Sequence, residues 1–167
     1  IHHRVKNNLG IIKSLIYIQS STVHDPAMRD MFRDLTSRVA SIGLIHEKLY
    51  LSEDFQTIDL DNYIGGLIRA HISTFGNRDV PVFVNKNIQK ISLNINTIIP
   101  LGLIFTELIT NSIKYGKNKN DEIVFSIQAK NEGENVRIVM SDSGDGYPDV
   151  VIQGKRDSTG LKLIEVF

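Results

Sequence analysis

Four groups of residues have the types and spacing for phosphate chemistry. The first is the opening run Ile1-His2-His3-Arg4-Val5-Lys6-Asn7-Asn8-Leu9, which places two imidazoles at the head of a helical pattern. An imidazole with a pKa near neutrality is partly deprotonated at physiological pH and can attack phosphorus through one nitrogen. The second is Glu107-Leu108-Ile109-Thr110-Asn111-Ser112-Ile113-Lys114-Tyr115, where Glu107, Asn111 and Lys114 share a helix face at spacings of four and three. A carboxylate, an amide oxygen and an ammonium suit a Mg²⁺-polyphosphate, since the hard cation takes oxygen ligands and the phosphate oxygens take positive charge. The third is Asp142-Ser143-Gly144-Asp145-Gly146 at the end of an apolar strand pattern. There a carboxylate can accept a hydrogen bond from an exocyclic amine while the backbone turns at the glycines. Ser158-Thr159-Gly160 opens a further helical pattern whose N-terminal N–H groups would suit phosphate. Each group also has an ordinary alternative: surface histidines, a solvated helix face, a β-turn and an N-cap.

Helical phase separates the two histidines. At ~100° per residue, Val5, Leu9, Ile12 and Ile16 define a core-facing side, widened by Ile11, Leu15 and Ile18. His3 falls nearly opposite that side, in line with Asn7, Gly10 and Ser14, whereas His2 borders the apolar stripe. A glycine inside a helix costs ~1 kcal/mol relative to alanine, so Gly10 invites a steric reason. Asp25-Pro26 reads as an N-cap and first helical residue. The helix it opens carries Met28, Met31, Leu35, Ile42, Ile45 and Leu49 in a near-heptad rhythm interrupted by Arg38. His46 falls within that stripe and reads as a packed core histidine, while His24 and His71 carry no legible signal. Two such helices form a hairpin that buries little alone. A four-helix bundle made by two copies is the economical solution, so the pattern predicts a homodimer.

A polar link, Leu51 to Thr57, precedes a different architecture, with the domain boundary placed at 54/55. Helices are expected over 59–76 and 96–115. Strands are expected over 80–84, with Pro81 favouring an edge or a strand start, over 122–129 and over 136–141. The last two alternate with period two and are joined by the turn-like Asn131 to Asn135. A helix cut short is expected from Ser158 to Phe167. The fold class is α+β, a hairpin followed by a two-layer sandwich of helices on one face of a sheet.

Composition excludes more than it assigns. The chain has 167 residues, 41% of them hydrophobic and 23% charged, as in ordinary globular proteins. Nineteen basic and nineteen acidic residues cancel, so no global field argues for nucleic acid. The absence of cysteine excludes disulfides and thiolate metal sites. No apolar run approaches the ~20 residues of a membrane helix, and no signal-peptide pattern is present. A cytoplasmic location and a fragment of a longer protein, continuing upstream of Ile1 and beyond Phe167, are the expectations.

Taken in order, the segments resemble the catalytic core of sensor histidine kinases over essentially the whole chain. The hairpin resembles the dimerisation and phosphotransfer domain (1–54), and the remainder a Bergerat-type ATP-binding domain (55–167). His3-Arg4-Val5-Lys6-Asn7 is similar to the acceptor motif of the HWE-type kinases and their sister group, as is His-Glu-Lys-Leu-Tyr at 46–50 to the sister group. The absence of tryptophan, and Tyr115 where the HWE group has histidine, fit the sister group better. The resemblance implies His3 as the phosphorylated residue and Asn111 as a Mg²⁺ ligand, with Glu107 as base, polarising group or second ligand. Lys114 and Tyr115 would lie near phosphate or ribose. Asp142, Gly144 and Gly146 match the adenine-selecting G1 box, and Thr159-Gly160-Leu161 matches the G2 box. Lys162 stands in place of a second G2 glycine, the ATP lid is short, and Arg4 replaces the usual acidic residue after the acceptor. Implied partners are ATP with Mg²⁺, a second copy of the chain, and a response-regulator receiver domain. Asn7 would orient water for the reverse reaction. Two rival classes are a non-catalytic dimeric adaptor and an ATPase or protein kinase of the same nucleotide fold without phosphohistidine.

Overall fold

The computed structural model describes residues 2–51, 57–77 and 79–146, without the side chains of residues 2, 3, 6 and 48–51. The chain begins with a helical hairpin, α1 (His2–Ser21) and α2 (Pro26–Leu51). Asp25 caps the second helix as its sequence position implies, its carboxylate accepting from the Ala27 N–H at 3.2 Å. Val5, Leu9 and Ile16 of α1 are half-buried, as the helical phase requires, but Ile12, expected on the same side, is 43% exposed. Ile11, Leu15 and Ile18 do not widen that buried side. They stand 57–59% exposed on a second stripe, because a two-helix hairpin covers only one face of α1. Met28, Met31 and Leu35 of α2 are exposed as well.

The α/β part follows as β1 (Thr57–Asp59), α3 (Leu60–Phe75), β2 (Val82–Ile88), β3 (Ser92–Asn94), α4 (Ile95–Tyr115), β4 (Ile123–Glu132) and β5 (Asn135–Ser141). Both helices start on side-chain caps. Asp59 accepts from the Asn62 N–H at 2.8 Å, and Asn94 accepts from the Thr97 N–H at 3.0 Å. The sheet order is β2-β4-β5, with β2 parallel to β4 and β4 antiparallel to β5. β2 is an edge, and Pro81 sits just before it with its carbonyl accepting from the Ile123 N–H, as expected of a proline at a strand start. The strand itself runs 82–88 rather than 80–84. Its charged and amide residues Asn85, Lys86 and Asn87 hid the extension, since pairing to β4 and not apolar alternation holds it. β1 and β3 pair antiparallel from Thr57↔Asn94 to Asp59↔Ser92. Three-residue strands leave no periodicity to read, and neither was expected.

The α+β core lies between α3, α4 and the inner face of the sheet. Ile123, Phe125, Ile127 and Ala129 alternate inward along β4, and the last three share one core cluster with Ile64, Leu67, Phe105 and Ile109 of the helices. Full burial stabilises each large apolar side chain by about 1.5–3 kcal/mol. Ile45 of α2 is fully buried in the same cluster, so the second hairpin helix is part of this core. Two glycines make that approach possible. A Cβ on Gly102 would overlap the Tyr63 hydroxyl and stand 3.2 Å from Ile45 Cδ1; a Cβ on Gly66 would stand 3.0 Å from Leu44 Cδ2.

Candidate active site

The end of α4 and the loop after β5 meet at close range. Asp142 directly follows β5, and its carboxylate is oriented from two sides. Ser112 Oγ donates to Oδ2 at 2.7 Å, and the Gly144 N–H donates to Oδ1 at 3.0 Å. Ser143 fixes the loop, donating to the Gly116 carbonyl at 2.8 Å and accepting from the Val124 N–H at 2.9 Å. The glycines answer a steric demand. A Cβ on Gly144 would stand 2.9 Å from both Gly116 Cα and the Tyr115 carbonyl oxygen, and Gly146 turns the chain at φ +84°. Asp142 to Gly146 is therefore a turn built around a held, exposed carboxylate.

The Glu107 face of α4 is not a solvated helix face. Glu107 is buried, Asn111 and Lys114 are half-buried, and Tyr115 alone of the four is open to solvent, at 75%. Glu107 Oε1 accepts from Arg38 Nε at 2.6 Å, and Lys114 Nζ lies 2.9 Å from Asp34 Oδ1. Lys114 also sits 5.3 Å from the centre of the Phe75 ring, within cation–π range. Both ion pairs cross from the hairpin to α4. Arg38 was visible in the sequence as a break in an apolar rhythm, and a charge in such a stripe needs a partner. Asp34, Ser37 and Ser112 gave no comparable signal.

His71 joins the same seam. Its Nδ1 lies 2.7 Å from the Leu67 carbonyl, which can only accept, so Nδ1 carries the hydrogen. Nε2 is then the acceptor for Ser37 Oγ of α2 at 2.8 Å. Burial pushes the His71 pKa below its ordinary value, outweighing the Leu67 hydrogen bond and the Glu107 charge, which raise it. The ring stacks on Phe75. No signal in the sequence marked this histidine, because Ser37, its side-chain hydrogen-bond partner, lies on another helix 34 residues away.

On α1, Asn7, Gly10 and Ser14 are exposed on one face, and no described atom beyond the neighbouring residues and the helix's own backbone comes within 4 Å of a Cβ placed on Gly10. The backbone of His3 belongs to α1, but its side chain lies outside the described residues, as do Thr159, Gly160, Leu161, Lys162 and the helix expected over 158–167. Among the described residues no helix is long and apolar enough to cross a membrane. The described residues also hold no cluster of three metal-ligating His, Cys, Asp or Glu side chains.

Residues 1–75 match a family model described as histidine kinase, and residues 96–165 match one described as histidine kinase-, DNA gyrase B- and HSP90-like ATPase. The chain carries both domains and is homologous to sensor histidine kinases. It is 27% identical over 165 residues to the sensor histidine kinase PdtaS of Mycolicibacterium smegmatis, and 29% identical to PdtaS of Mycobacterium tuberculosis. It is also 27% identical over 171 residues to blue-light-activated histidine kinase 2 of Erythrobacter litoralis. Each alignment covers 98% of this chain, but only 33%, 32% and 48% of those relatives, so the histidine kinase chain spans about a third to a half of their length. The fold matches the histidine kinase domain of E. litoralis EL346 with a TM-score of 0.68 at 24% identity, over 98% of this chain and 76% of that one. That kinase's full structure matches at 0.67 and 22% identity. The resemblance carried by the opening histidine run and the two downstream segments thus stands at the level of family and fold.

Proposed function

We propose that this histidine kinase core transfers the γ-phosphoryl group of ATP·Mg²⁺ to His3 and from there to an aspartate of a response-regulator receiver domain. The observation that carries the reading is the Asp142 carboxylate, held by Ser112 and Gly144 at the end of the helix that also presents Glu107, Asn111 and Lys114. Asp142 suits the exocyclic amine of adenine, with Gly144 and Gly146 letting the base approach the loop. Asn111 and Glu107 offer oxygen to Mg²⁺, Lys114 offers charge to phosphate, and Tyr115 lies at the exposed edge near ribose. Thr159, Gly160 and Leu161 would close on the phosphates through backbone N–H groups.

The deprotonated imidazole nitrogen of His3 attacks the γ-phosphorus in line, a P–N bond forms, and the bond to the bridging oxygen of departing ADP breaks. Glu107 accepts or polarises the imidazole proton, and catalysis is positioning plus charge neutralisation. Asn7, one turn below His3, orients water for the reverse hydrolysis. Residues 1–54 serve as the phosphotransfer unit and 55–167 as the ATP-binding unit. A second copy of the chain covers the exposed stripes of the hairpin, and the setting is cytoplasmic.

Labelled ATP tests the reading. Acid-labile, alkali-stable label is expected on the wild type and on His2→Ala, and is lost in His3→Ala. Asn111→Ala abolishes Mg²⁺-dependent labelling, and Asp142→Ala weakens nucleotide binding. Label that survives His3→Ala points to a kinase of the same fold without phosphohistidine. A wild type that neither binds nor hydrolyses ATP is an adaptor.

A further inference from the structure

The charges on α2 that face the nucleotide helix are the wrong ones for an occupied site. Arg38 places a guanidinium against Glu107, the carboxylate available to Mg²⁺, and Asp34 places a carboxylate against Lys114, the ammonium available to phosphate. A cation beside a metal-ligating carboxylate opposes the metal, and an anion beside a phosphate-binding lysine opposes the phosphate. The pairs run antiparallel, the earlier residue on α2 meeting the later one on α4. Side-chain exposures of 18% and 11% for Arg38 and Glu107, and of 25% and 32% for Asp34 and Lys114, make both contacts partly shielded rather than free surface pairs.

The remainder of the seam is compatible with release. Ser37 meets His71 through one hydrogen bond, which water can replace on both sides. Tyr63 is fully buried where Ile45 meets Gly102, and its hydroxyl has no hydrogen-bond partner among the described residues. Burying an unpartnered hydroxyl costs free energy that would be recovered if α2 moved away and water reached it. A seated α2 therefore gains two ion pairs and a buried Ile45, and keeps the Tyr63 hydroxyl from water.

We propose that Asp34 and Arg38 are positioning residues that hold Lys114 and Glu107 in a closed latch, and that ATP·Mg²⁺ binds by displacing α2 from both. The inference rests on the nucleotide reading above and deepens it. Nucleotide binding becomes the event that frees the hairpin from the ATP-binding face, so that the acceptor helix can move relative to the phosphoryl donor. Asp34 and Arg38 need not touch nucleotide. They act by competing for the residues that do.

Calorimetric titration of the 167-residue chain with ATP·Mg²⁺ tests the latch, with circular dichroism melts as the folding control. Asp34→Asn and Arg38→Gln are each expected to tighten binding by about threefold to tenfold, the scale of losing one partly shielded charge-assisted contact. The Arg38→Gln gain should depend on Mg²⁺, and the Asp34→Asn gain should persist with ATP alone. Affinity that is unchanged or weaker in both folded variants overturns the latch while leaving the nucleotide site intact. A wild type that binds no ATP·Mg²⁺ overturns the nucleotide reading itself. A second measurement needs no change at the latch. Because the chain has no cysteine, spin labels at Gln19→Cys and Glu134→Cys report the hairpin-to-sheet distance by pulsed EPR. ATP·Mg²⁺ should shift or broaden that distribution, and Asp34→Asn/Arg38→Gln should do so without nucleotide. An identical distribution with and without bound nucleotide overturns the proposal.

Discussion

Ser112 Oγ donates a 2.7 Å hydrogen bond to Asp142 Oδ2, tying the last turns of α4 to the loop after β5. The Gly144 N–H holds the other carboxylate oxygen, so the carboxylate plane is fixed before any ligand arrives. Preorganisation of this kind lowers the ordering cost of binding. It also makes Ser112 part of the proposed adenine site without requiring it to touch adenine.

Ser112→Ala should therefore weaken ATP binding by about threefold to tenfold, corresponding to about 1 kcal/mol for one hydrogen bond. Discrimination between ATP and GTP should narrow as well, since the freed carboxylate can rotate. Competition titrations with both nucleotides read this, and the melting temperature should change little because Asp142 is open to water.

His71 gives the protein a pH-dependent stability. Its folded-state pKa lies below the ordinary 6.5 because burial disfavours the imidazolium. Below that ordinary value the unfolded chain binds a proton that the folded chain refuses. The stabilisation is thus complete above pH 6.5 and is lost as pH falls toward the folded-state value. Urea unfolding of wild type and His71→Gln between pH 8 and pH 5 should show their stability difference shrinking only over the acidic part of the range. A difference independent of pH would count against a neutral, buried His71.

Gly102 and Gly10 should respond oppositely to alanine. At Gly102 the new methyl overlaps the Tyr63 hydroxyl inside a packed core, so Gly102→Ala should destabilise by about 1–3 kcal/mol. Tyr63→Phe removes that hydroxyl, which lacks a partner among the described residues, and should restore part of the loss in the double variant. At Gly10 no described atom beyond the neighbouring residues and the helix's own backbone lies within 4 Å of the methyl, so Gly10→Ala should stabilise α1 by up to about 1 kcal/mol. Thermal melts of the four variants check both. Any loss of phosphotransfer in Gly10→Ala would then place the steric reason for this glycine on a partner rather than within the chain.

The exposed stripe of Ile11, Leu15 and Ile18 is where the proposed dimer would close. Leu15→Lys/Ile18→Lys should shift the sedimentation coefficient from dimer to monomer at micromolar concentration without loss of helical signal. A wild type that sediments as a monomer at the same concentration would remove the dimer from the functional reading.

Helix positions, the cap at Asp25 and the inward alternation of β4 were legible in the sequence because they are local. Asp25-Pro26 states a helix start in residue types, and Ile123, Phe125 and Ile127 state a buried strand face in a period of two, whereas the caps at Asp59 and Asn94 came from the structure. The family was legible because its motifs are short runs. Thirty residues separate Ser112 from Asp142 and 34 separate Ser37 from His71, and no local pattern encodes such pairs. Arg38 lay between the two cases. The sequence showed a charge where the apolar rhythm had no place for one, and only the packing of α2 on α4 supplied Glu107, 69 residues away, as its partner.

By itself the sequence determined the α+β class, the order of the main helices and strands, the family, and the residues with chemistry suited to phosphate. Those follow from backbone preference and side-chain type, which act over a few residues. Tertiary structure alone decided that the Glu107 and Lys114 side chains are held by the hairpin, that Ser112 and Gly144 aim Asp142, and that Ile45 belongs to the α/β core. These depend on which helix faces meet when the core closes, and steric fit at Gly66 and Gly102 allows that closure.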